Sequence, residues 1–315
     1  MFKSTEKIKL VLAPMAGFTD KAFRQICVEN GADITWSEMI SAEGLVRQKN
    51  NPQNRSLALS EKFNEEEKNY WVQIFGNNPD SMAEASKIIQ EKIKPTGIDI
   101  NLGCPVRKAQ KAGYGAIQIK NIPQVVKIIK AIKKEISLPL SLKTRLGLEN
   151  PEEILNFAPK LEEAGIDQLV IHARTLKGMF FEKPNWEIVK RLKEILKIPI
   201  IYNGGIKTIK DANFYAQNTG CQTLMIGQAS LGNPWIFNEI KKNVSISENK
   251  KIKDIFHHAK LIQKYYGEKG FLIFRSHFAS YLKGYPNAKK LRYQAVQIKT
   301  LNDVQKVLSQ ISGNL

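Results

Sequence analysis

Residues 198–229, IPIIYNGGIKTIKDANFYAQNTGCQTLMIGQA, contain the pattern that decides the fold. A short apolar run ends in glycines, a longer segment with helical spacing follows, and a second apolar run ends in another glycine. Strands that are apolar along most of their length and alternate with helices are typical of a parallel sheet covered on both faces. The stretch therefore predicts one strand–helix unit and the strand of the next.

The same unit occurs eight times in about 235 residues. Eight such units predict a (β/α)8 TIM barrel, which we assign to residues 1–242. A doubly wound open sheet is the alternative, but no GxGxxG follows the first strand. The predicted strands are 9–13, 32–37, 70–76, 97–103, 138–147, 166–173, 198–205 and 221–229.

From residue 243 onward the pattern and the charge both change. Residues 243–251 are polar and predict a linker, and apolar residues after 252 recur only at helical spacing. Residues 243–315 carry 13 Lys and Arg against 4 Asp and Glu, so this segment holds half of the net charge of +18. We predict a small, basic, all-helical C-terminal domain over residues 243–315. Such an uneven charge favours a polyanion as partner, and a lysine-rich surface without a partner is the alternative.

Composition excludes several classes of protein. No apolar run reaches the roughly 18–20 residues of a membrane span, and the apolar run near Met1 is too short for a signal peptide. Cys27, Cys104 and Cys221 are isolated, so neither a disulfide framework nor a cysteine zinc site is indicated. We expect a cytoplasmic protein without membrane contact, and the sequence indicates no metal and no obligate protein partner.

The active site of a TIM barrel lies at the carboxyl ends of its strands. A thiol, a lysine, two arginines, an imidazole and several amides fall at those ends, which suits an anionic, hydrogen-bonding ligand rather than a metal or paired-carboxylate hydrolysis. Glycines after the last two strands predict a phosphate cradle, although each could serve only its turn. The strand-end residues are Gln73, Asn101, Cys104, Lys143, Arg145, His172, Arg174, Asn203, Gly204, Gly205, Gly227 and Gln228.

The chain resembles the tRNA-dihydrouridine synthases through APMAGFTDKAFR, SEM, QIFG, INLGCPVRKAQKAGYG, LKTRLG, IHART, NGGI, MIG and GNPWIF, in order across residues 10–240. FRSHFASYLKGYPNAKKLR resembles the C-terminal helical domain of that family. The resemblance implies reduction of the C5=C6 bond of selected uridines in tRNA by FMN, which NADPH or NADH has reduced. Hydride would go to C6 and a proton to C5.

The resemblance also implies roles for single residues. Cys104 would donate the proton, since a thiol of pKa near ~8.5 is mostly protonated at neutral pH. Lys143 and Arg145 would instead favour a thiolate, and a nucleophilic or a buried structural cysteine is the alternative. The implied flavin contacts are Pro14, Met15, Ala16, Gln73, Lys143, His172, Asn203, Gly204, Gly205, Gly227 and Gln228. The implied substrate contacts are Asn101, Arg145 and Arg174.

The basic helices would hold the tRNA backbone while the target base is flipped into the barrel. Phosphate contacts are predicted for Arg275, Lys283, Lys289, Lys290 and Arg292.

One residue departs from the pattern of the family, which usually has arginine where Gln228 stands. Arginine makes a charge-assisted bond to phosphate, and glutamine makes only a neutral one. We therefore expect weaker retention of FMN, unless Lys207 or His172 compensates.

Three other functions stay open at this point. Another FMN barrel acting on a small pyrimidine would explain the phosphate cradle and Lys143, but not the basic C-terminal segment. A non-enzymatic RNA-binding module would explain that segment, but not Cys104. A dihydrouridine synthase acting on ribosomal RNA would explain both the basic C-terminal segment and Cys104.

Overall fold

The strands of the barrel follow the apolar runs of the sequence. The structure is a computed structural model that describes residues 8–51 and 54–311. Within these ranges the strands are β1 (Lys9–Leu12), β2 (Ile34–Trp36), β3 (Ile40–Ser41), β4 (Tyr70–Phe75), β5 (Gly97–Leu102), β6 (Leu140–Arg145), β7 (Gln168–His172), β8 (Ile200–Asn203) and β9 (Thr223–Ile226).

Parallel pairing closes these strands into a ring. β1 pairs with β9, with Leu12 opposite Ile226, and also with β2, with Val11 opposite Ile34. β2 in turn pairs with β4, so eight of the described strands form a closed barrel, while β3 pairs with β4 outside it. The predicted (β/α)8 barrel is confirmed, and the open sheet is excluded because the ring has no edge strand.

Most of the described helices begin where a side chain accepts a hydrogen bond from one of their first N–H groups. In the described residues they are α1 (Lys21–Glu29), α2 (Ala42–Arg47), α3 (Arg55–Ser60), α4 (Pro79–Lys92), α5 (Arg107–Lys111), α6 (Ile122–Glu135), α7 (Glu153–Ala164), α8 (Trp186–Ile195), α9 (Ile209–Thr219), α10 (Ile236–Lys242), α11 (Glu248–Tyr266), α12 (Phe271–Tyr281), α13 (Ala288–Ala295) and α14 (Leu301–Ser309). Asp20 caps α1, and Thr208 with Asp211 forms a capping box on α9. None of the helices in the described ranges is long and apolar enough to span a membrane.

Two aromatic rings fill part of the barrel interior. Trp36 and Trp71 stack with their centroids 5.4 Å apart, and they belong to one buried cluster with Val170 and Met225. Gly97 makes room for this packing, since a Cβ there would lie 2.4 Å from the Trp71 ring. A larger apolar core separates the strands from the surrounding helices.

The C-terminal helices pack on the barrel through α1. Their buried cluster includes Ala22 and Ile26 of α1. Polar contacts join the same surfaces: the Lys21 N–H donates to Tyr266 Oη at 3.0 Å, and His277 Nε2 lies 3.0 Å from Asp20 Oδ2. Among the described residues after 252 only helices occur, as predicted.

The predicted linker is shorter than expected. The polar residues 243–251 indicated a connection, but α11 begins at Glu248. Ser247 accepts a hydrogen bond from the Lys250 N–H, and Glu248 lies in the first turn, so polar residues here start a helix instead of preventing one.

A buried ion pair holds the start of α1 against the segment before β4. Arg24 Nε lies 2.7 Å from Glu67 Oε1, and both side chains are almost fully buried. Arg24 also donates to the carbonyl oxygens of Thr19 and Glu61. Glu67 accepts in addition from Thr35 Oγ1 at 2.7 Å. The further hydrogen bonds help to offset the loss of water around both ions. Because both are buried, removing one would leave the charge of the other unpaired.

Candidate active site

A cavity of about 390 Å³ opens at the carboxyl ends of the barrel strands. Its walls come from the loops after β1, β5, β7, β8 and β9, together with strand residues that face inward. The residues predicted from the sequence that line it are Pro14, Met15, Ala16, Gln73, Asn101, Cys104, Lys143, Arg145, His172, Arg174, Asn203, Gly204, Gly205, Gly227 and Gln228. The structure therefore brings every predicted flavin contact and the thiol to one site.

The loop after β8 has a backbone that only glycine adopts easily. Gly204 and Gly205 have φ values of +127° and +75°. A Cβ on Gly205 would lie 2.6 Å from Tyr215 Oη and 2.8 Å from Pro184 Cγ. Side chains are excluded here by strain, and at Gly205 also by space, and both glycines line the cavity.

Lys143 places a cation in the wall of the cavity. Its Nζ donates to Asn203 Oδ1 at 3.2 Å, and Asn203 Nδ2 donates to the Met225 carbonyl oxygen at 2.8 Å. Burial, together with the neighbouring Arg145 cation, lowers the pKa of Lys143 to about 8, and the Asp99 carboxylate opposes this shift. Lys143 is therefore charged at neutral pH and loses its charge in mildly alkaline solution.

Cys104 lies on the loop that leaves β5, and its side chain is mostly buried. The Cys104 N–H donates to Asn101 Oδ1 at 3.0 Å, and its carbonyl oxygen accepts from the Ala116 N–H at 3.1 Å. Gly115, at φ +75°, approaches so closely that a Cβ there would lie 2.9 Å from Cys104 Cβ. These contacts hold the thiol at the wall of the cavity.

Arg145, predicted as a substrate contact, lines the cavity and also bonds to the backbone of two loops. It is almost fully buried. Its guanidinium donates to the carbonyl oxygens of Gly103, Thr175 and Met179 at 3.0, 3.0 and 3.3 Å. Through its Nε and Nη1 groups Arg145 thus connects the loop after β5 to the loop after β7, and it also lines the cavity.

His172, the last residue of β7, and Arg174, in the loop that follows, form a pair. Arg174 Nη1 lies 2.9 Å from His172 Nε2, and Arg174 Nε donates to the Glu182 carbonyl oxygen at 2.6 Å. Burial and the nearby cations hold the pKa of His172 well below its usual range. His172 is therefore neutral and accepts from Arg174, so the positive charge here belongs to the arginine.

Gln228 lines the same cavity as the two residues expected to compensate for it, His172 and Lys207. Since His172 is neutral, a compensating charge for a bound phosphate would come from Lys207 or Arg174.

The predicted phosphate contacts of the C-terminal helices fall into two groups. Lys283, Lys289, Lys290 and Arg292 are exposed. Arg275 is half-buried, and its Nε and Nη2 both donate to the Ile298 carbonyl oxygen, at 3.1 and 3.0 Å. Arg275 therefore ties α12 to the segment between α13 and α14.

Sequence reasoning missed several residues in and beside the site. Met39 and Phe180 line the cavity. Phe180 is not distinguishable by pattern from a core residue, whereas Met39 stands in the SEM motif. Asp99 is fully buried and accepts from Gln73 Nε2 at 2.7 Å. The available signal was an aspartate inside the largely apolar run GIDINLG, where an unpaired charge would be costly.

Comparison with protein-family models shows to which family the chain belongs. The family model described as dihydrouridine synthase (Dus) matches residues 11–314. The chain belongs to the dihydrouridine synthase family. Members of this family are oxidoreductase enzymes, and the match covers the barrel and the C-terminal helices alike, in agreement with the resemblance of the motifs.

Two curated relatives show how far the likeness to other dihydrouridine synthases extends. The chain is 35% identical over 307 residues to a probable tRNA-dihydrouridine synthase of Aquifex aeolicus (strain VF5), covering 96% of this chain and 95% of the relative. It is 37% identical over 287 residues to tRNA-dihydrouridine synthase B of Pasteurella multocida (strain Pm70), covering 88% and 85%.

Solved structures agree with the fold of this dihydrouridine synthase family member. A 2-naphthoyl-CoA reductase complex matches with a TM-score of 0.60 at 13% identity, over 75% of this chain and 50% of that chain. Histamine dehydrogenase from Rhizobium sp. 4-9 matches with a TM-score of 0.57 at 12% identity, over 80% and 49%. The chain spans about half the length of each, and the likeness concerns the fold alone.

Proposed function

We propose that the protein reduces the C5=C6 bond of selected uridines in tRNA to 5,6-dihydrouridine, using FMN reduced by NADPH or NADH. The observation that carries the proposal is the placement of Cys104 in one cavity with Lys143, Gln73 and the glycine loops. The names of the relatives, which are tRNA-dihydrouridine synthases, support the choice of substrate.

The residues of the cavity fit FMN. The glycine loops after β8 and β9 offer backbone N–H groups to a phosphate, and Gly204 and Gly205 have the backbone that such a turn requires. Lys143 offers a cation and Gln73 an amide to the polar edge of a flavin ring. Pro14, Met15 and Ala16 offer an apolar wall from the loop after β1.

FMN held by these residues would, once reduced, supply the hydride that uracil receives at C6. Cys104 supplies the proton at C5: its S–H bond breaks, the new C–H bond forms, and a thiolate remains. Lys143 and Arg145 lie close enough to interact electrostatically with Cys104. They would stabilise that thiolate until it takes a proton from water, which restores the acid.

The C-terminal helices would bind the RNA backbone. We propose that residues 1–242 form the catalytic FMN-binding domain and residues 243–315 the tRNA-binding domain. The exposed Lys283, Lys289, Lys290 and Arg292 would contact phosphates, giving binding that weakens with salt. Arg174 and Arg145, which both line the cavity, would meet the nucleotide that enters, and Arg145 would in addition hold two loops of the site together.

The charge of Lys143 leads to a pH-dependent affinity for FMN. Its pKa in the folded protein is about 8, below the ordinary value, so the ammonium is present below pH 8 and is lost above it. The phosphate of FMN is already ionised over this range. We expect the affinity to fall by about tenfold between pH 7 and pH 9, as measured by the fluorescence of released flavin. Lys143→Arg keeps its charge and should remove most of this dependence; an unchanged dependence in that variant would contradict the role of Lys143.

Site-resolved mapping of dihydrouridine tests the proposal directly. RNA from cells with and without the gene is compared, with Cys104→Ala complementation alongside wild type. We expect dihydrouridine to disappear from one or a few tRNA positions and to return only with the wild-type gene. Loss from ribosomal RNA alone would keep the chemistry and change the substrate. No change in any RNA would contradict the proposal and favour a flavin barrel acting on a small pyrimidine.

A further inference from the structure

The mouth of the cavity carries apolar side chains that are exposed to solvent. Phe181 is 97% exposed, and Val106 and Phe180 are 54% and 47% exposed. Val106 and Phe180 line the cavity itself, and Phe181 follows Phe180 in the chain. An exposed apolar patch with polar residues around it marks a surface where a partner binds.

Phe181 lies at this opening because its two neighbours in the chain belong to the wall of the cavity or are bonded to it. Phe180 lines the cavity. The carbonyl oxygen of Glu182 accepts a hydrogen bond at 2.6 Å from Nε of Arg174, which also lines the cavity. Since the Phe181 side chain is almost fully exposed, its ring projects into solvent at the edge of the cavity.

The loop after β5 forms the adjoining part of the opening. Arg145 joins the two loops, because it donates to the carbonyl oxygens of Gly103 and Met179. Val106 lies three residues after Gly103, and Phe181 lies two residues after Met179. The exposed side chains of both loops therefore form one apolar rim at the mouth of the cavity.

Cations stand beside the apolar rim. Arg107 and Lys108 follow Val106, and Lys183 lies two residues after Phe181. All three basic side chains are exposed. The acidic side chain of the loop after β7, Glu182, accepts a hydrogen bond from Thr175 Oγ1 at 3.1 Å. The surroundings of the rim therefore favour an anionic partner.

A strand of RNA matches this combination of groups. Its phosphates are anionic, and its bases have flat faces that stack on aromatic rings. The proposed reaction requires the target uridine to leave its stack and to enter the cavity. Its departure uncovers one face of each neighbouring base, and the RNA backbone keeps those bases close to the opening. An exposed aromatic ring at the opening can cover such a face.

We propose that Phe181 stacks on the base next to the target uridine. Arg107, Lys108 and Lys183 bind the phosphates on either side of that base. The barrel thus contributes its own contacts to the RNA, in addition to those of the C-terminal helices. This inference rests on the proposed function, since it requires an RNA whose uridine enters the cavity.

Phe181→Ala tests the inference in the FMN-loaded protein. The target tRNA oxidises the reduced flavin in a single turnover, and the tRNA concentration that gives the half-maximal rate is measured. We expect this concentration to rise about tenfold, the effect of losing one base stacked on an aromatic ring. The rate at saturating tRNA and the affinity for FMN should stay close to wild type. Phe181→Tyr keeps the ring and should behave as wild type, whereas Phe181→Leu should resemble the alanine variant.

An abasic nucleotide identifies the base that stacks. Two versions of the target tRNA lack the base immediately 5′ or 3′ of the target uridine. We expect wild type to bind one of them about tenfold more weakly than intact tRNA. Phe181→Ala should bind that version as well as it binds intact tRNA, because both changes remove the same contact.

Ile195→Ala is the matched control. Ile195 is 49% exposed and ends α8, just before β8 begins, so it lies at the opposite end of the barrel from the cavity. Removing this exposed apolar side chain should leave the affinity for tRNA at the wild-type value.

Three results would overturn the inference. The first is a Phe181→Ala protein with wild-type affinity for tRNA, which is also the result expected if another protein covers the rim. The second is a Phe181→Leu protein that binds as wild type. The third is a set of effects in which the variant and the abasic nucleotide weaken binding independently at both positions. Failure of the proposed function is a different result, the absence of dihydrouridine from every RNA that wild type is given.

Discussion

Cys104→Ala is expected to slow uridine reduction by about 10²–10⁴-fold, the contribution of a positioned general acid. Binding of FMN and thermal stability should stay close to wild type. The loop is held by the backbone N–H and carbonyl groups of Cys104, which bond to Asn101 and Ala116 and which alanine retains. Without the thiol, the proton for C5 must come from water that has no fixed position.

The measurement is a single turnover, in which the target tRNA oxidises enzyme whose flavin has been reduced beforehand, followed by flavin absorbance. Cys104→Ser should remain close to the alanine variant, because a hydroxyl is a much weaker acid than a thiol. Cys221→Ala is the matched control, since Cys221 is buried and is not part of the cavity wall; it should react at the wild-type rate. A wild-type rate in Cys104→Ala would show that the proton has another source.

Arg24→Met is expected to lower the free energy of unfolding by about 3–5 kcal/mol, because it leaves the buried Glu67 carboxylate without its partner. The change also removes the donors that bond to Thr19 and Glu61. Removing Glu67 as well, in an Arg24→Met, Glu67→Leu double variant, should restore part of the loss, since neither charge is then buried alone.

Chemical denaturation of the three proteins gives these free energies. An exposed ion pair serves as control: Lys177 Nζ lies 3.1 Å from Glu149 Oε2, and both side chains are largely exposed. Lys177→Ala should cost about 0–1 kcal/mol. If Arg24→Met costs no more than this control, the buried pair does not stabilise the fold.

The barrel could be predicted because its strands are apolar over nearly their whole length, and the structure confirms all eight. The short elements α2, α3 and α5 were not predicted. Helices of five or six residues show too few turns for a repeating apolar face. The start of α11 was also misplaced, because the polar residues that cap a helix resemble those of a linker.

In the site, too, the location of some residues could be predicted from the sequence and the contacts of others could not. That Lys143 and Cys104 share one cavity follows from their positions at strand ends, which any closed parallel barrel brings together. The bonds of Arg145 and Arg275 to backbone carbonyls could not be predicted. Their acceptors, such as Met179 and Ile298, lie on segments whose course depends on the packing of the whole chain.

The sequence by itself determined the barrel, the helical nature of the described C-terminal segment and the family, because these depend on local periodicity and on the order of motifs. Only the tertiary structure decided how donors and acceptors pair. Asp99, Gln73 and Asn101 come from two neighbouring strands, and their bonds exist only in the register that places Gln73 opposite Asp99. A hydrogen bond depends on distances of a few tenths of an ångström between residues far apart in the chain, and folding alone sets those distances.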